Sequence, residues 1–188
     1  MAERENKKST SANGRRYKIP TEERLTRSAI HYLDRYSSSA ANLQRVLERK
    51  VMRAAHFHER DPGEFSELID AVVAKCQRIG MVNDVTFAET KVASQRRRGR
   101  SKRQIEARLR SKGVSAEIVT QALEQSDTSD LEAAVIFARR RRLGPWRTRG
   151  ARADYSDKDM AALCRAGFNF DIARQIVDGS SEDLEREF

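Results

Sequence analysis

The sequence predicts an all-α protein, an elongated, curved array of three tandem helical units. Three observations lead there. Apolar residues recur at i, i+3, i+4 and i+7 along most of the chain, the signature of amphipathic helices. Nine glycines and three prolines in 188 residues are too few for a β-rich fold with many turns. An order of long helix, polar break, short helix, short helix also recurs. Leu43-x3-Leu47-x3-Val51 corresponds to Ile105-x3-Leu109-x3-Gly113, and more loosely to Met160-x2-Leu163-x3-Gly167. The breaks before them are Ser37-Ser38-Ser39, Gly99-Arg100-Ser101 and Tyr155-Ser156-Asp157. Helices near or below ~12–15 residues are marginal alone, so packing between neighbours must hold such units together.

The elements follow in order. Met1 to Lys18 is polar and charged, buries nothing and is expected to be disordered. A helix begins after Pro20, with Thr21 as N-cap, Glu22 and Glu23 in the first turn, and Leu25, Ala29, Ile30 and Leu33 inward. After Ser37–Ser39 a second helix carries Leu43, Val46, Leu47 and Met52 on one face. His56 to Gly63 reads as a loop closed by Asp61-Pro62-Gly63. The cleanest amphipathic helix comes next, with Phe65, Leu68, Ile69, Val72, Val73, Cys76 and Ile79 inward and Gly80 as its stop.

Asn83 or Asp84 caps the helix of Phe87, Ala88 and Val92, which Gly99 ends. Ser101 and Gln104 have capping-box spacing and open the helix of Ile105 and Leu109. Gly113 ends that helix, and Ser115 starts a short one with Ile118, Val119, Ala122 and Leu123. Beyond the linker Gln125–Ser129, a longer helix from Asp130 finishes in Arg139 to Arg142 and Leu143-Gly144-Pro145. Ser156 and Asp157 open another, with Met160 and Leu163 inward. Phe170, Ile172, Ala173, Ile176 and Val177 make a last short one, and the acidic end from Gly179 to Phe188 is expected to fray.

Composition narrows the function. Hydrophobic residues at 38% and charged residues at 35% favour a body with much surface for its volume. A formal charge of +9 points to nucleic acid or an acidic partner. The first residues lack an apolar signal segment, and no apolar run approaches the roughly 20 residues needed to span a bilayer. Cys76 and Cys164, far apart in sequence, read as small buried hydrophobes in a reducing cytoplasm.

Catalytic patterns do not present themselves. Gly99 lacks the spacing of a phosphate-binding loop. The carboxylates are scattered along helix faces rather than clustered for Mg²⁺. His56 and His58, two residues apart, do not converge as metal ligands without further donors. The expectation is a protein with no metal, no cofactor and no enzymatic activity.

The chemistry that remains is cationic. Arg96-Arg97-Arg98-Gly99-Arg100-Ser101-Lys102-Arg103 sits at a helix–helix junction, and between Lys91 and Lys112 only Glu106 opposes it. A second cluster, Arg139, Arg140, Arg141 and Arg142 with Trp146, Arg147 and Arg149, occurs one unit later. Last-turn arginines complement a helix dipole, which accounts for part of that cluster but not for cations beyond the stop. Arginine forks suit phosphates and carboxylates alike. Neither cluster has the several interleaved aromatics of a single-strand stacking platform, so contact with a nucleic-acid backbone or an acidic surface is expected, without base readout.

Asn83-Asp84-x-x-Phe87-Ala88-Glu89, Ser94-x-Arg96-Arg97-Arg98-Gly99-Arg100 and Ile105-x3-Leu109-x-x-Lys112-Gly113-Val114 together resemble the central signature of the RecX family. Gly80-Met81-Val82 and Ala138 to Arg147 are also similar to it, and the likeness runs from about Leu25 to Val177. The resemblance implies three tandem three-helix repeats, at 19–81, 82–126 and 127–179, between a tail at 1–18 and an acidic tail at 180–188. It implies a cytoplasmic, monomeric regulator that binds the RecA recombinase filament on single-stranded DNA, and inhibits its ATP hydrolysis, strand exchange and co-protease activity. Single-stranded and double-stranded DNA are the further partners expected, with no membrane. This sequence departs from the pattern at Asn83-Asp84, where the family usually has an acidic pair. It departs also at the His56–Gly63 loop and in its long basic N-terminal tail. The competing readings are a non-specific DNA-binding helical protein with no recombinase target, and an RNA-associated scaffold.

Overall fold

Hydroxyl and amide side chains set most of the helix starts. Thr21, Ser39, Ser101, Ser115, Ser129 and Asn169 each have extended backbone and accept a hydrogen bond from an amide of the first turn that follows. The computed structural model describes residues 17–186, which form ten α-helices and two 3-10 turns, with no strand among the described residues. The all-α prediction holds. By their contacts the residues divide into two compact units, one ending at Asp84 and the other beginning at Val85.

The first unit holds α1 (Glu22–Leu33), α2 (Ala40–Phe57), a 3-10 turn (Pro62–Phe65) and α3 (Ser66–Arg78). Leu25, Ala29, Leu43, Leu47, Val51, Ile69, Val72 and Cys76 form its core. Burial pushes the Cys76 thiol above its ordinary range. Asp84, whose carboxylate accepts from the Ala40 amide at 2.8 Å, ties the end of this unit to the first turn of α2.

Several expectations need correction here. Met52, expected inward, is 58% exposed, because it lies nine residues after buried Leu43, about two and a half turns, and so faces the opposite way. Ile30 and Ile79 also face outward. The loop expected from His56 begins later, since α2 runs on to Phe57 with Ala54 and Ala55 buried beneath it. The expected disordered tail at 1–18 lies outside the described residues except for Tyr17 and Lys18. Tyr17 is in place: its ring packs on Phe57 with centroids 5.8 Å apart, and its carbonyl meets the His58 Nε2.

The second unit contains most of α4 (Asp84–Arg96), then α5 (Lys102–Ser111), α6 (Ala116–Glu124), α7 (Asp130–Arg141), a 3-10 turn (Gly144–Trp146), α8 (Arg152–Arg165), α9 (Phe170–Asp178) and α10 (Ser181–Arg186). It has two apolar clusters. Phe87, Val92, Ile105, Leu109 and Val119 join α4 to α6, while Ala134, Leu163, Phe168, Ala173, Ile176 and Leu184 join α7 to α10. Helix α8 starts at Arg152, about one turn before the expected Ser156. Phe170, the first of the apolar residues expected to make the last short helix, is exposed. The expected acidic tail forms α10 instead, because Leu184, 3% exposed, anchors it in the second cluster. Among the described residues no helix is long and apolar enough to cross a membrane.

Candidate polyanion-binding cleft

The basic junction is held by backbone shape before charge enters. Gly99 ends α4 with φ of +71°, and a Cβ there would lie 2.7 Å from the Phe137 amide nitrogen of α7. Only glycine fits both the left-handed backbone and that approach. Ser101 caps α5 and is fully buried; its hydroxyl donates to the Ala166 carbonyl at 2.7 Å. Gly167 makes room for it, since a Cβ there would stand 2.6 Å from the Ser101 Oγ. The start of α5 is thus fastened to the end of α8, and the end of α4 to the middle of α7. Gln104 completes only half of the expected capping box, because its side-chain carbonyl accepts from the Arg100 Nη1 at 3.2 Å.

This packing brings two arginine clusters, separate in sequence, to one place. Arg98 and Arg100 from the junction, with Arg140 and Arg141 from the end of α7, line a cleft of about 290 Å³ around Phe137. Arg140 donates from Nη1 to the Arg98 carbonyl at 3.1 Å, which fixes one cluster against the other. The Arg141 guanidinium lies 6.0 Å from the Phe137 ring centroid. Among the described residues no carboxylate lines this cleft. The two expected clusters meet here through Arg98 and Arg100 of the first and Arg140 and Arg141 of the second.

Not every predicted cation belongs to it. Arg96 is 4% exposed and pairs with Asp130, whose carboxylate also accepts from the Lys102 amide at 2.7 Å. It is a buried brace between α4 and α7. Arg147 pairs with Asp159, itself 2% exposed, through Nε at 3.1 Å and through Nη2. Asp159 also accepts from the Gly144 amide at 2.8 Å. The hydrogen bond to Asp159 holds the Arg147 guanidinium above its ordinary pKa, and its face lies 4.2 Å from the Tyr155 ring centroid. Both arginines are spent on the fold.

The others fall outside the cleft lining. Trp146 is half-buried against the second apolar cluster and donates to Glu185 at 3.4 Å. Arg139 pairs with the same Glu185 at 3.6 Å. Arg142 ends α7 in the left-handed conformation, with φ of +56°. Its amide and that of Leu143 return to the last carbonyls of the helix. Arg97, Lys102, Arg103 and Arg149 are exposed. Arg152 caps α9 by donating to the carbonyls of Val177 and Gly179.

Phe137 is the lining residue that sequence reading passed over. It had a signal, since Arg140 and Arg141 follow it at three and four residues, the spacing that puts helix side chains side by side. Four guanidinium groups beside an aromatic ring, with no carboxylate among the described lining residues, suit phosphate oxygens or clustered carboxylates.

The family description "RecX, second three-helix domain" matches residues 83–123, the segment that contains the junction. The Regulatory protein RecX of Myxococcus xanthus is 44% identical over 159 residues, covering 83% of this chain and 85% of that protein. The Regulatory protein RecX of Agrobacterium fabrum is 33% identical over 158 residues, covering 84% of each. That of Corynebacterium efficiens is 34% identical over 129 residues, covering 64% of this chain and 61% of the relative. The chain belongs to the RecX family of regulatory proteins.

Proposed function

We propose that this chain binds the RecA recombinase filament on single-stranded DNA and suppresses its ATP hydrolysis, strand exchange and co-protease activity. It acts as a non-enzymatic, monomeric, cytoplasmic regulator. Its described helices read as three tandem three-helix repeats followed by α10, a division supported by the three apolar clusters drawn from α1–α3, α4–α6 and α7–α9, the last of which Leu184 of α10 joins. The target comes from the family resemblance; the chemistry comes from the cleft.

The observation that carries the reading is the carboxylate-free cleft of Arg98, Arg100, Arg140 and Arg141. In this proposal its guanidinium forks hold DNA phosphates or an acidic subunit face. Binding to more than one subunit of the filament then holds it away from the geometry that ATP turnover requires. The same cations favour a second reading, a DNA-binding protein indifferent to RecA, whose affinity falls steeply with salt. The rate of single-strand-dependent ATP hydrolysis by RecA, with and without this protein at low salt, separates the two. Suppression at stoichiometric amounts is expected, and an unchanged rate sinks the recombinase reading.

A further inference from the structure

The first unit carries a second cationic cleft that neither the family signature nor the arginine runs mark. It lies between α1 and α2 and measures about 600 Å³. Arg27 and His31 reach it from α1, four residues apart on one face. Arg49, Lys50 and Arg53 reach it from α2, and Tyr17 closes one side. Among the described residues no carboxylate lines it.

The charges are available to a ligand. Neither Arg49 nor Arg53 makes an ion pair among the described residues, and both are exposed. Arg27 pairs with Glu23 at 2.8 Å, but the two side chains are 75% and 81% exposed, so water screens the pair and a phosphate can replace the carboxylate. Lys50 donates to the Ser28 hydroxyl, which joins α2 to α1 and sets the relation of the two cationic faces.

The aromatic side selects the ligand class. Tyr17 stacks against Phe57 at the α2 end of the unit, beside the cations. Cations that track a backbone, next to an aromatic ring on which a base can stack, are the two components of single-strand recognition. A duplex hides its base faces, so the ring favours a single strand over a duplex. We infer that the α1–α2 cleft of the first unit is a direct binding site for single-stranded nucleic acid, with Arg49 and Arg53 on the phosphates and Tyr17 beside a base.

This gives the expected single-stranded partner a separate cleft in the first unit, and it rests on the proposed regulator only for its setting. The oligonucleotide test therefore omits RecA, and a separate arm measures binding of the same variants to DNA-free RecA, so the two can fail separately. Affinity of the full chain for a fluorescent oligothymidylate is measured by anisotropy over a range of salt concentrations. Arg49→Glu/Arg53→Glu should weaken binding at least about tenfold and flatten the logarithmic salt slope by about 1.4, which is about 0.7 for each phosphate that is no longer neutralised. Arg49→Gln/Arg53→Gln should flatten it in the same direction, and circular dichroism should show both variants folded. Arg78→Glu/Arg108→Glu, an equal charge change at exposed positions outside both clefts, should have a clearly smaller effect.

Three outcomes overturn the inference. One is an unchanged slope in the Arg49/Arg53 variants. Another is equal weakening by the control, which leaves only long-range charge. The third is undiminished oligonucleotide affinity together with abolished binding to DNA-free RecA, which assigns the cleft to an acidic protein face.

Discussion

Some arginines of this chain hold the fold through acceptors within it, Arg147 through buried Asp159 and Arg96 through half-buried Asp130, while Arg98, Arg100, Arg140 and Arg141 line the cleft. Arg147 completes the shell of Asp159, which would otherwise be a buried charge with only the Gly144 amide against it. Asp159→Ala leaves that amide and the guanidinium without an acceptor, and should cost about 3 kcal/mol in urea unfolding. Gly99 is a second test at this scale. Gly99→Ala puts a methyl against the Phe137 backbone in a left-handed conformation, so a loss of at least about 2 kcal/mol is expected by the same measurement. Runs of cations were legible in the sequence, but not which members were spent on structure. The partners Asp130 and Asp159 are 34 and 12 residues away in sequence, and only packing brings them close.

Among the elements, helices were read well where a hydroxyl cap stood before an apolar stripe, as at Thr21, Ser101, Ser115 and the Ser129–Asp130 start. Reading failed where packing overrode local signals. Ser156-Asp157 looks like a start, yet α8 begins at Arg152, whose side chain caps α9. The acidic C-terminal stretch looked frayed because a single leucine gives no periodicity. Leu184 nevertheless docks α10 on the second cluster. Leu184→Ala should lower stability by about 2–3 kcal/mol. It should also raise amide hydrogen exchange in Ser181–Arg186 ahead of the other helices. Uniform exchange across the second unit in that variant would mean α10 has no separate stability.

In the molecule as a whole, the proposed binding surface is a product of packing rather than of any one motif. Arg98 and Arg140 stand 42 residues apart, and the hydrogen bond between them exists only because Gly99 admits α7. The family signature marks the half of this cleft within residues 83–123; the other half comes from the end of α7. The most direct test of the account is RecA's single-strand-dependent ATP hydrolysis in the presence of Arg98→Glu/Arg140→Glu, with circular dichroism as the check on folding. The account predicts unchanged helical content and suppression that needs at least about ten times more protein, because two guanidinium groups that hold phosphate or carboxylate have become like charges. Suppression equal to that of the unaltered chain would contradict it.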